Sequence, residues 1–112
     1  MNGKKVFPLS GRGNPIIYHE KDGITRITWG ATAFNVSNDQ ITDFLLNFFI
    51  DKNTWYQLGA SMTDPPKGGF GEYISNKCHT LTPRHASAIA SIMVNEGLLT
   101  FRGNKPIELK KC

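Results

Sequence analysis

Residues 82–111, TPRHASAIASIMVNEGLLTFRGNKPIELKK, restrict the fold more than any other stretch, because they mark both ends of a helix and the turn that follows it. Thr82 suits the N-cap, and Pro83 suits the first helical position, where an amide has no partner to lose. Gly97 suits the left-handed residue just beyond the helix, and Leu98 can then fold back on Met93 in a Schellman ending. These signals predict a helix over 83–96. Ala86, Ile89, Ala90 and Met93 line one of its faces, and Arg84, Ser87, Ser91 and Asn95 another. If Gly103-Asn104 makes a two-residue turn, Arg102 faces Lys105, Phe101 faces Pro106 and Thr100 faces Ile107. Pro106 has no N–H to donate, which predicts that the last strand lies on a sheet edge, guarded by Lys105, Lys110 and Lys111. Leu98, Ile107 and Leu109 then share one face.

The first third reads as strands. NPIIYHE and ITRITWG are rich in β-branched and aromatic residues and flank Lys21-Asp22-Gly23, where Asp-Gly supplies the positive φ angles of a tight hairpin. ATAFNV alternates, so Phe34 and Val36 share a face and extend the hairpin to a meander. Ser37-Asn38-Asp39-Gln40 is a capping-box pattern that opens a helix over 38–51, with Val36 and Ile41 as a hydrophobic staple. Ile41, Phe44, Leu45 and Phe48 recur at helical spacing as a buried stripe that Phe49 widens. From Asn53 to Leu81 the pattern is irregular, with paired prolines and several glycines, and it ends in a short helix over 70–77. So long a connection in a small fold is a candidate binding loop.

With 39% apolar residues and seven Phe among 112 residues, the chain can bury a core without metal or disulfide support. Length and pattern predict one domain of α+β class, with an antiparallel sheet, two main helices and the short one. The longest apolar run, FLLNFFI at 44–50, is far below the ~20 residues of a membrane span. The N-terminal lysines precede no apolar segment of signal-peptide type, and the two cysteines, Cys78 and Cys112, suit a reduced, cytoplasmic setting. Net charge is +4, and residues 82–112 hold Arg84, Arg102, Lys105, Lys110 and Lys111 against Glu96 and Glu108. The middle around Asp39, Asp43, Asp51 and Asp64 is acidic, and the basic end reads either as ordinary surface charge or as a surface for an anionic partner.

Catalytic and metal patterns find little support. Cys78 and His79 are adjacent and point apart in extended chain, poor geometry for a thiolate and its base. Cys78, His79 and His85 lack the spacing of a zinc site, and for the Glu-x-Lys of IELK no Asp follows Asp64 to complete the carboxylate pair that holds Mg²⁺. The glycine-rich PPKGGFGEY is not a Walker loop, since Gly-x4-Gly-Lys-Ser/Thr is absent. It does interleave Lys67 with Phe70 and Tyr73, a pairing suited to stacking and phosphate contact. The chain is therefore expected to be non-enzymatic and to need neither cofactor nor metal.

The succession of short helix, turn at 78–81, second helix, EGLL and basic hairpin resembles the second half of a winged helix-turn-helix domain, over about a third of the chain. The resemblance implies that the second helix enters the DNA major groove by its N-terminal residues while the wing touches the backbone. Carried over, Arg84, His85, Ser87, Ala88 and Ser91 face bases, and Arg102, Asn104 and Lys105 face phosphate. Two features depart from the family: the helix carries one firm cation, and a three-strand segment precedes the first helix. The expected function is that of a DNA-binding regulatory or accessory protein, acting as a dimer. The alternative is a ligand- or protein-binding module in which the 54–74 loop, with Trp55, Lys67, Phe70 and Tyr73, lines a pocket or interface. In that arrangement the C-terminal hairpin joins the N-terminal strands in one sheet and the small-residue helix lies flat against it.

Overall fold

The structure is a computed structural model that describes residues 3–63, 66–104 and 106–112. Its class is α+β, as expected, but the strands form two separate antiparallel sheets. The first is a meander, β1 (Lys4–Val6), β2 (Ile16–Lys21), β3 (Ile24–Trp29) and β4 (Thr32–Ser37), paired in chain order. Lys21 pairs with Ile24, and the intervening Asp22 and Gly23 have φ of 54° and 80°, the left-handed pair that the Asp-Gly signal requires. Cross-strand register places Tyr18, Ile27 and Phe34 side by side, and with Ile16 and Val36 they make the buried face. Ile17, Ile24, Arg26 and Asn35 face water on the other side, which gives the period-two alternation of a half-buried sheet.

Helix α1 (Asn38–Asp43) opens with the full capping box: the Gln40 amide donates to Ser37 Oγ at 3.0 Å, and the Ser37 amide to Gln40 Oε1 at 2.8 Å. It does not continue as a regular helix to 51. A π-helical turn occupies Phe44–Phe48, closed by the Phe49 amide on the Phe44 carbonyl. Widening the helix at this point turns the neighbours Phe48 and Phe49 both inward, where a 3.6-residue repeat sets successive side chains about 100° apart. Phe44, Phe48 and Phe49 then meet Phe70, with ring centroids 5.3, 5.4 and 5.1 Å from it.

The second sheet consists of β5 (Tyr56–Gln57), β6 (Leu99–Arg102) and β7 (Glu108–Lys111), in the order β5-β7-β6. The C-terminal hairpin is therefore not part of the meander. Its last strand is central, contrary to the expectation from Pro106. Arg102 pairs with Glu108, Phe101 with Leu109 and Thr100 with Lys110, so the turn spans 103–107 instead of two residues. The longer loop leaves Pro106 outside the ladder, where its missing N–H costs no strand pairing. Leu109 is buried against Tyr56, its partner on β5.

Helices α2 (Phe70–Lys77) and α3 (His85–Asn95) lie between β5 and β6 in sequence, and α3 packs on α2, β6 and β1. The C-terminal ending of α3 is as read: Gly97 has φ 79°, and the Leu98 amide donates to Met93 O at 2.8 Å. Its start is tighter, with His85, Ala86 and Ser87 amides bonding three residues back. The His85 ring, through Nδ1, accepts from the Thr82 amide at 2.9 Å. The meander spans the length of α3. Phe34 and Trp29 meet its first turn through His85 and Arg84, and Tyr18 meets its last through Asn95 and Glu96.

Candidate nucleic-acid interface

The residues expected to face bases are scattered by this packing. Ala88 and Ser91 are fully buried, and Ser91 Oγ donates to the Ser87 carbonyl at 2.8 Å, which satisfies the hydroxyl inside its own helix. Ser87 is half-buried. His85 is also half-buried, its ring 4.3 Å from that of Phe34, and burial, aided by the neighbouring Arg84 charge, lowers its pKa and keeps it neutral. Arg84 alone of this group is exposed, with its guanidinium 5.3 Å from the Trp29 ring centroid. Most of the major-groove surface assigned to α3 by resemblance is thus buried within the fold.

The wing residues fare differently. On the ladder Gln57, Glu108 and Arg102 are neighbours, and Thr100 faces Lys110, so period-two geometry puts all five on one side of the second sheet. Leu109 and Lys111 point to the other side, where Lys111 Nζ donates to the Leu45 carbonyl at 3.1 Å. The Trp55 indole lies on the outer side with two cations against it: the Arg102 guanidinium at 4.2 Å and the Lys110 ammonium at 4.7 Å from the ring centroid. Arg102 Nε also donates to Glu108 Oε1 at 2.9 Å, which orients its planar fork. Lys110 has no ion-pair partner among the described residues. Asn104 is exposed at the tip of the hairpin, and Lys105 lies outside the described residues.

Of the loop residues assigned to the alternative, Trp55 therefore belongs with Arg102. Lys67 is exposed and Phe70 is fully buried in the aromatic cluster. Tyr73 is half-buried, its hydroxyl donating to Asp43 Oδ2 at 2.8 Å, and burial with this bond pushes its pKa up to about 12. The loop does border a shallow depression of ≈ 280 Å³ with the hairpin tip, between Leu58, Ala60, Pro66, Asn104 and Ile107, but none of its four assigned residues lines it. Lys110 is the site residue that sequence reasoning passed over. It was read as an edge guard, and only the Thr100–Lys110 register puts it beside Arg102.

Among the described residues no group of three or more His, Cys, Asp or Glu is placed to hold a metal ion, and no helix is long and apolar enough to cross a membrane. No protein-family model matches the chain, and no curated protein or solved structure matches it either.

Proposed function

We propose that this chain is a non-catalytic nucleic-acid-binding protein that grips the phosphate backbone with the outer face of its C-terminal sheet, while α3 stays covered. The carrying observation is Trp55 with Arg102 and Lys110 against one indole on a solvent-facing sheet. An aromatic surface beside firm cations supplies stacking and charge together, the combination that holds single strands without reading sequence. The succession α2, turn, α3 and hairpin, with the hairpin free of the meander, favours its use as a wing. Arg84 is a second contact at the start of α3. Backbone contact of this kind gives affinity with little sequence preference.

Anisotropy titrations of labelled single-stranded and duplex DNA of mixed sequence, each at two salt concentrations, test the reading. Affinity is expected to fall with salt, with a log-log slope of about −0.7 per phosphate neutralised on single strands and about −0.9 on duplex. Arg102→Ala with Lys110→Ala should weaken binding and flatten that slope by roughly two contacts, while Lys67→Ala leaves it unchanged. Absence of binding at low salt removes the proposal.

A further inference from the structure

The meander does not close fully on α3. Between its buried face and the C-terminal half of the helix lies a cleft of ≈ 370 Å³. Val36, Ile41, Ile89, Ile92, Met93 and Leu98 form its apolar floor. The volume falls within the roughly 300–1,000 Å³ of small-molecule sites, and an apolar floor with a few converging polar groups is their usual composition.

The polar groups at the mouth define the ligand. Lys4, Glu20 and Glu96 are its firmly charged residues, two carboxylates against one ammonium. The ammonium is already committed, since Lys4 Nζ donates to Glu96 Oε2 at 2.7 Å. The same oxygen accepts from the Tyr18 hydroxyl, and Glu20 Oε2 accepts from Asn38 Nδ2 at 2.9 Å. Oε1 of Glu20 and Oε1 of Glu96 accept no hydrogen bond among the described residues. The mouth therefore offers acceptors and excess negative charge above a floor that favours hydrocarbon. An anionic amphiphile meets two carboxylates and a cation already in use. A neutral alcohol can donate one hydrogen bond but brings no positive charge to meet the carboxylates.

We infer that this cleft binds a small amphiphile with an alkyl or aryl body and a protonated amine, the body on Ile41, Ile92 and Leu98 and the ammonium at Glu20. The site is separate from the wing face and stands whether or not that face binds nucleic acid. Methyl NMR titrations with phenylbutylamine, phenylbutanol and phenylbutyrate, which share a body and differ in head group, test it. The amine should give saturable shifts at the Ile41 and Ile92 methyls and bind about tenfold tighter than the alcohol, as a charge-assisted hydrogen bond implies. Phenylbutyrate should bind most weakly. Glu20→Gln, at an exposed position, should bring the amine down to the alcohol's affinity with thermal unfolding unchanged. The inference is overturned by absence of saturable shifts at those methyls, by an alcohol or acid that matches the amine, or by a full amine preference in Glu20→Gln.

Discussion

Tyr18 donates its phenolic hydrogen to Glu96 Oε2 at 2.6 Å across 78 positions of sequence, and so fastens β2 of the meander to the end of α3. Its oxygen also accepts from Asn95 Nδ2 at 2.7 Å. Tyr18 is only 4% exposed, but Asn95 and Glu96 are exposed, so water can replace the hydroxyl for both when it is removed. Tyr18→Phe is expected to cost about 0.5–1.5 kcal/mol, the net range for a hydrogen bond whose partners water can reach, read from the urea midpoint at unchanged m-value.

The same junction makes stability depend on pH at both ends. Hydrogen bonds from Lys4 and then Tyr18 hold the Glu96 carboxyl below its ordinary value of 4.5. A carboxyl depressed in the folded state stabilises above its unfolded pKa, and the contribution disappears as pH falls from there through the folded value. Lys4 is raised above 10.5 by its bond to Glu96, and Tyr18 above 10.0 chiefly by burial. Their contributions are complete below those unfolded values and are lost as pH rises through the folded ones. The stability difference between the parent protein and Glu96→Gln should therefore be flat through neutrality and shrink below about pH 4.5 and above about pH 10. Denaturant midpoints across the pH range, with solvent screening keeping the effect small, check both limbs.

What was legible in the sequence was local. The Ser37–Gln40 capping box, the Asp22-Gly23 turn and the Gly97 ending each depend on groups within a few residues, and all three have the expected geometry. The partners of each face were not local. Ser87 and Ser91 looked like a small polar surface, but burial of Ser91 needs only a carbonyl four residues back, which the helix itself provides. Small side chains signalled that something approaches α3 closely; that α2, β6 and β1 do so is set by contacts between residues far apart in the chain. The hairpin register failed for a related reason. A two-residue turn satisfies the local signal at Gly103-Asn104, whereas the pairing of β7 with β5 is set by Leu109 and Tyr56, distant in sequence. The basic site was half legible, since Arg102 and Trp55 were both singled out but for different readings.

Phe70 separates core from surface in the 54–74 region. It is fully buried among Phe44, Phe48 and Phe49, so Phe70→Ala should destabilise by about 3–5 kcal/mol through lost burial and the cavity left behind. Lys67→Ala, three positions away and exposed, should stay within about 0.5 kcal/mol of the parent. Thermal or chemical denaturation of the two variants distinguishes a core anchor from a binding loop, because a Phe70 devoted to ligand contact would leave stability unchanged.

Glycines 71 and 97 make opposite demands on the same substitution. Gly71 sits in the first turn of α2, where its amide donates to the Leu58 carbonyl at 2.9 Å, and a Cβ there would be driven into the Gly59 carbonyl oxygen. The nearest obstacle is backbone and the next is the rigid Pro83 ring, so Gly71→Ala must displace the loop before α2 despite an intrinsic helical gain of about 1 kcal/mol. Gly97 meets nothing within 4 Å, but its φ of 79° strains any L side chain. Gly97→Ala should cost about 1 kcal/mol and keep the native fold. Gly71→Ala should cost several times that, with loss of near-UV circular dichroism from the aromatic cluster that α2 completes. Equal, small losses in the two variants would mean that the Gly59 carbonyl leaves room for a side chain at position 71.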